Sequence, residues 1–184
     1  MYYSGKRSGI IQSAGLGLIH IYYGEGVGKT TRAVGLAVRA AGVGLHVSFV
    51  QFMKSGNSGE VLIFANIPNI HYRCPGRHPF ILSKGPEPVH FEHASKAYDL
   101  ALEEVSKGTD ILICDEILNT LLFDLLDKRH IHELIETCRG RTELVMTGRT
   151  APADLVELAD YVTELRQVKH PYYRGFKARM GIEF

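Results

Sequence analysis

An octapeptide, Gly24-Glu25-Gly26-Val27-Gly28-Lys29-Thr30-Thr31, constrains this chain more than any other stretch. Leu18–Tyr23 (LIHIYY) precedes it, a β-branched and aromatic run that reads as a buried strand. Lys29–Ala41 (KTTRAVGLAVRAA) follows and reads as a helix that stops at Gly42, a residue suited to a C-terminal cap. Glycines between a strand and a helix let backbone N–H groups turn inward. The positive end of the helix adds to them, and the result is a cradle for phosphate oxygens. Lys29 supplies a point charge, and the Thr30 hydroxyl is placed to ligate Mg²⁺. The usual pattern, G-x-x-x-x-G-K-[ST], has its first glycine where this chain has Tyr23; Gly24 comes one residue late. The expectation is a nucleoside triphosphate held by residues 24–31.

The rest of the chain continues the alternation. Strands are expected at His46–Phe52, Asn69–Cys74, Asp110–Asp115, Thr142–Thr147 and Tyr161–Val168. Helices are expected at His90–Lys107, Lys128–Cys138 and Pro152–Ala159. This predicts an α/β fold with a mainly parallel sheet and helices on both faces. Residues 1–17 lack periodicity and read as a flexible N-terminal arm, leaving 18–184 as a single nucleotide-binding domain. Residues 73–88 carry four prolines and read as a long loop, a mobile substrate lid in one reading. With 21 Lys and Arg against 20 Asp and Glu, the net charge of +1 offers no footprint for nucleic acid. No apolar run is long enough to span a bilayer, and no signal segment opens the chain. Three widely spaced cysteines without a C-x-x-C fit a reducing cytoplasm.

Further candidate site residues cluster at strand ends. Asp115 and Glu116 close an apolar strand, where acids in phosphate-loop proteins face the loop and hold the metal shell. Arg149 ends the next strand and is placed to reach a phosphate oxygen; Lys54, after the second strand, has the same standing. Cys74, His78, His90 and His93 have a spacing that matches no standard zinc arrangement, and the histidines read as solvated loop residues.

Taken together these strings resemble the ATP:corrinoid adenosyltransferases, the family that includes the cob(I)yrinic acid a,c-diamide adenosyltransferases. The family's shortened phosphate loop, G-[ND]-G-K-G-K-T-T, corresponds to Gly24–Thr31. Its R-A-x-G, V-Q-F-x-K and D-E-[LI] strings correspond to Arg39–Gly42, Val50–Lys54 and Asp115–Ile117. Its C-terminal strings correspond to Thr147–Arg149, Ala151-Pro152, Leu155–Glu164, Val168–His170 and Gly175–Glu183. The likeness runs from Leu18 to Phe184 and is weakest across 73–93.

The resemblance implies a RecA-like fold, a homodimer, and transfer of the 5′-deoxyadenosyl group of ATP to the Co(I) of a corrinoid. Triphosphate leaves, and ATP lies in the loop in a reversed sense relative to ordinary NTPases. It implies phosphate contacts from Gly24, Gly26, Gly28, Lys29, Thr30 and Thr31. It also implies a Mg²⁺ site at Thr30 and Glu116, supported by Asp115. No side-chain acid or base is required, because Co(I) is the nucleophile. The corrin is bound without its lower axial ligand, so that a weak reductant, a flavoprotein, suffices; neither His78 nor His90 is expected to ligate cobalt. Three departures stand out: Val27 replaces a usual Lys, Glu25 replaces Asn or Asp, and the chain has no Trp. Phe80 takes the place of the family's Phe-x-Trp pair as the corrinoid-side candidate. Two other classes remain compatible with the loop: a kinase or NTPase that cuts at the γ-phosphate, and a non-catalytic nucleotide- or corrinoid-binding protein.

Overall fold

The computed structural model describes residues 15–183. Six strands, β1 (Ile19–Tyr23), β2 (Val47–Gln51), β3 (Ile70–Arg73), β4 (Ile111–Asp115), β5 (Glu143–Gly148) and β6 (Tyr161–Glu164), form one sheet in the order β3-β2-β4-β5-β1-β6. Every neighbouring pair is parallel. The helices are α1 (Lys29–Ala41), α2 (Gly59–Phe64), α3 (Pro88–Ser106), α4 (Asn119–Leu122), α5 (Lys128–Cys138) and α6 (Ala153–Leu158), and a 3₁₀ turn covers Pro171–Arg174.

Strand alternation sorts the core into two layers. Ile19, Ile21, Val50, Leu112, Cys114, Leu144 and Met146 face one side, against α3, α5 and α6. Tyr22, Val47, Phe49, Ile111, Ile113 and Val145 face the other, against α1 and α2. Helix α1 buries Ala33, Ala37 and Ala40, whose small side chains let it lie close to the strands. Helix α5 buries Ile131, Leu134, Ile135 and Cys138, an i, i+3, i+4, i+7 stripe. Among the described residues, no helix is long and apolar enough to cross a membrane.

Most elements fall where the residues predict, and the differences have local causes. Of the expected arm, residues 1–14 lie outside the described part. Gly17, at its end, is tied down: its N–H donates to Glu143 Oε2 and its carbonyl accepts from the Gly140 N–H, both at 3.0 Å. Gly42 ends α1 at φ −63°, a conformation open to any residue; the left-handed turn falls on Gly44 at +92°. Helix α3 starts two residues early because Pro88 takes its first turn and the His90 Nδ1 accepts from the Glu87 N–H at 2.7 Å. Strand β6 stops at Glu164 because Leu165 turns onto the phosphate loop: its N–H donates to the Tyr23 carbonyl and its own carbonyl accepts from the Gly26 N–H. Helices α2 and α4 are too short to leave a periodic signal in sequence.

The histidines are not solvated. His90 and His93 sit on the inner side of α3, 1% and 4% exposed. His93 Nε2 donates to the carbonyls of Lys54 and Gly76, at 3.1 and 3.2 Å, and His90 Nε2 donates to that of Pro79 at 3.1 Å. The His78 ring packs against both, with centroids 4.9 and 4.8 Å away, and its backbone N–H donates to Ser55 Oγ at 2.9 Å. This cluster straps the first part of the expected lid, residues 74–79, to α3 and to the end of β2. Among the described residues, no group of three or more His, Cys, Asp or Glu is arranged to hold a metal.

Two consequences can be measured. Phe49 is fully buried and packs on Phe64 with ring centroids 5.0 Å apart, whereas Phe80 is 94% exposed. Phe49→Ala is expected to cost about 3–5 kcal/mol in urea unfolding, and Phe80→Ala less than about 0.5 kcal/mol. The second concerns pH. Burial, reinforced by the His93 and His90 rings, pushes His78 down from 6.5 to about 4. The unfolded imidazole takes its proton near 6.5 and the folded one only near 4, so stability falls as pH drops through that window. His78→Gln is expected to flatten this slope; an unaltered slope would assign it to other groups.

Candidate active site

The site assembles around one carboxylate. Asp115 ends β4 and is fully buried. Its Oδ1 accepts from Thr147 Oγ1 at 2.8 Å and from Thr30 Oγ1 at 3.0 Å; its Oδ2 accepts from Lys54 Nζ at 2.7 Å. Strand β5 lies between β1 and β4, which puts the end of β1 about 9–10 Å from that of β4. The first turn of α1 spans that gap by leaning back over the sheet edge, and Thr30 is the residue that arrives. Glu116 follows in the left-handed region, φ 65°, and its N–H donates to Thr147 Oγ1 at 2.8 Å. A non-glycine residue there stores roughly 1–3 kcal/mol of strain, and the turn keeps both carboxylates at the strand end.

The phosphate loop is shaped by what it rests on. Gly24 is left-handed at φ +117°, and a Cβ there would collide with the Leu165 carbonyl oxygen. A Cβ on Gly26 would come within 2.7 Å of the same atom. Gly24 donates its N–H to the Arg149 carbonyl at 3.0 Å, which ties the loop to the end of β5. Glu25 and Val27 alternate outward and are exposed. Gly28 caps α1 in the left-handed region without a side chain, so no cap acceptor takes the first-turn amides. Lys29 Nζ donates to the Gly24 and Gly26 carbonyls at 2.6 and 2.8 Å, bracing the loop from inside.

Electrostatically the site is balanced. Burial lowers the pKa of Lys29, and Arg149 adds to that, against Glu25, Glu116 and Asp115. Burial also works against the charge of Lys54, but Asp115 and Glu116 outweigh it and hold its pKa above the usual lysine value. Burial raises the Glu116 carboxyl above the ordinary range despite Lys54. Arg149 is exposed beside the loop; its backbone N–H donates to Asn119 Oδ1 at 2.7 Å, and its guanidinium makes no hydrogen bond among the described residues.

Beside the loop opens a cleft of about 720 Å³. Its lining includes Thr30, Thr31 and Lys54, Glu60 and Ile63 of α2, and His78 to Phe80. The C-terminal residues Gly181 to Glu183 also line it. Of the candidates from the sequence, Thr30, Thr31, Lys54 and Phe80 line this cleft; Asp115 and Glu116 adjoin it through Thr30 and Lys54, and Arg149 stands beside the loop at the end of β5. Sequence reasoning missed a supporting network. Tyr72 OH donates to Gln51 Oε1 at 2.7 Å, which turns the Gln51 amide N–H toward Glu60 Oε1 at 3.2 Å. Gln51 pairs in register with Asp115, so the polar end of Val50–Lys54 was the available signal.

The chain is 32% identical over 176 residues to "Corrinoid adenosyltransferase CobA" of Salmonella typhimurium, covering 91% of this chain and 86% of that protein. A corrinoid adenosyltransferase of Sinorhizobium is 31% identical, covering 91% of this chain and 80% of its own. One from Pseudomonas aeruginosa is 30% identical, covering 91% and 84%. Residues 15–184 match the family described as ATP:corrinoid adenosyltransferase BtuR/CobO/CobP, and the chain belongs to that family.

Proposed function

We propose that this cleft transfers the 5′-deoxyadenosyl group of ATP to the Co(I) of a corrinoid, with the residue roles that follow. The observation that supports the reading is a single cleft lined both by the phosphate-loop threonines Thr30 and Thr31 and by the exposed Phe80. A polyanion and a large, largely apolar macrocycle would each find its own surface there.

The electron pair of Co(I) attacks C5′ of ATP. A Co–C bond forms, the C5′–O bond breaks, and its electrons leave on the triphosphate. Cobalt passes formally from Co(I) to Co(III). The substrate supplies the nucleophile, so the protein's work is positioning and leaving-group stabilisation. The loop amides of residues 24–31 would hold the triphosphate, with Lys29 released from its own carbonyls to do so and Arg149 reaching from the strand end. Phe80 would pack on the corrin without ligating cobalt, which favours reduction by a weak donor. The oxygens of Thr30, Asp115 and Glu116 converge on one cationic position, the one Lys54 Nζ touches, and they fit Mg²⁺, which takes one or two carboxylates plus phosphate oxygens. When bound there, Mg²⁺ would neutralise charge developing on the triphosphate. The finer assignment we favour is the cob(I)yrinic acid a,c-diamide type, acting as a homodimer with a flavoprotein reductant in the cytoplasm. The support for it is the resemblance of the C-terminal string around Gly175–Glu183 to that of the family.

Mixed anaerobically with Mg-ATP and chemically reduced cob(I)alamin, cobinamide or the diamide, the protein is expected to yield a light-sensitive adenosylcorrinoid and equimolar triphosphate. ADP in place of triphosphate would point to γ-phosphate cleavage, and nucleotide binding without any product to a binding protein. Lys29→Ala is expected to lower kcat/KM by roughly 10²-fold or more, the scale of losing a charge stabiliser. Phe80→Ala should raise KM for the corrinoid while leaving KM for ATP unchanged; a matched rise in both would place Phe80 elsewhere in the cycle.

A further inference from the structure

The oxygens assigned above to a divalent ion already hold a cation of the protein's own. Lys54 Nζ lies 2.7 Å from Asp115 Oδ2, 3.2 Å from Thr30 Oγ1 and 3.8 Å from Glu116 Oε1. A Mg²⁺ ion takes its oxygen ligands at about 2.0–2.1 Å. Bound to these oxygens, it would stand within a few ångströms of the ammonium, against a fully buried carboxylate where like charges repel strongly. The two cations compete for one position.

Lys54 is built to leave it. Its backbone is held, because its carbonyl accepts from His93 Nε2 at 3.1 Å and from Cys74 Sγ at 3.3 Å. Its side chain is a four-carbon stem, 25% exposed, and it lines the same cleft as Thr30 and Thr31. A rotation about that stem takes the ammonium off Asp115 and into the cleft, where the triphosphate would lie. Asp115 keeps its bonds from Thr30 and Thr147, so the carboxylate is not stripped when Lys54 departs.

We infer that Lys54 is an internal counter-cation that the divalent ion displaces, and that the displaced ammonium then binds the triphosphate leaving group. The inference rests on the metal assignment proposed above. It gives Lys54 two positions and couples them: metal loading delivers a second positive charge to the leaving group. It also makes metal binding without a polyphosphate weak, since the ammonium must then be moved with nothing to receive it.

Three measurements on the full chain test this. Free-Mn²⁺ titrations followed by EPR, with no nucleotide present, should show Lys54→Met binding Mn²⁺ about tenfold tighter than the parent chain, and Lys54→Arg binding like the parent. Inorganic tripolyphosphate should bind Lys54→Met more weakly than the parent with Mg²⁺ present and equally without it. On the unaltered protein, which removes any question of folding, acylation of the Lys54 amine mapped by mass should rise severalfold with saturating Mg²⁺. It should fall again when tripolyphosphate is added. Mn²⁺ affinity unchanged in Lys54→Met, or Lys54 labelling indifferent to Mg²⁺, overturns the inference. Asp115→Asn separates the two claims. If it binds Mn²⁺ as well as the parent chain, the metal assignment fails and takes this inference with it. If it loses Mn²⁺ while Lys54→Met is unchanged, the inference alone fails.

Discussion

A carboxylate buried at the end of a central strand organises this molecule. An ionised group removed from water is tolerable only when hydrogen bonds and countercharge replace its hydration. Asp115 recruits them from three separate elements: Thr30 from the first turn of α1, Thr147 from β5 and Lys54 from just beyond β2. Each bond fixes the position of an element relative to the sheet edge. Thr30 sets how far α1 tilts toward β4, and with it the direction of the loop amides. Thr147 also accepts from the Glu116 N–H, so the same bond set orients the second carboxylate. Removing the Lys54 ammonium with no cation in its place would leave the Asp115 charge uncompensated, a change of up to about 3–5 kcal/mol. The site and the core are therefore one construction: the bonds that make Asp115 tolerable also bring its neighbours together.

What could be read from residues divides along a physical line. Long periodic or continuous apolar segments were legible. Lys29–Ala41 and Lys128–Cys138 have the same ends in sequence and structure because apolar spacing and flanking residues decide them locally. The places of the loop and of Asp115 and Glu116 at strand ends were legible because the apolar runs that precede them are continuous. The illegible parts depend on distant partners. His90 and His93 fall within the expected helix, but their facing inward is visible only once the carbonyls of Pro79, Lys54 and Gly76 are brought up to satisfy them. The stop of β6 at Glu164 is set by the underside of the phosphate loop, some 140 residues earlier in the chain, and the segment itself does not encode it. Gln51 and Tyr72 belong to the same class: ordinary strand residues whose role exists only because β2 lies between β3 and β4.

The two departures in the phosphate loop have a common geometry. Gly24 and Gly26 are buried against Leu165, and the residues between and after them, Glu25 and Val27, are exposed. A side chain at position 27 therefore projects from the crest, and Val27 there is 68% exposed. The residue is free to vary without disturbing the backbone that forms the cradle. Its effect is electrostatic: a cation at this position would add to the field at the phosphates, and valine does not. Glu25 acts in the opposite sense through space, since its charge opposes the loss of the Lys29 proton.

That deficit gives the rest of the site its logic. Lys29 and Lys54, the cationic side chains nearest the loop floor, are both engaged, one by loop carbonyls and the other by carboxylates. Neither presents a bare charge, and the carboxylates around them cancel much of the field a polyanion would feel. Beyond Arg149, exposed at the end of β5, a triphosphate entering such a site must bring charge with it or set charge free. A divalent ion held by Asp115, Glu116 and Thr30 would do both: it carries two positive charges in and turns Lys54 out. The weaker the fixed field of the loop, the more of the leaving-group stabilisation must come from cations that arrive or move. With valine at its crest, the loop would then lean more heavily on the lysine at the end of β2.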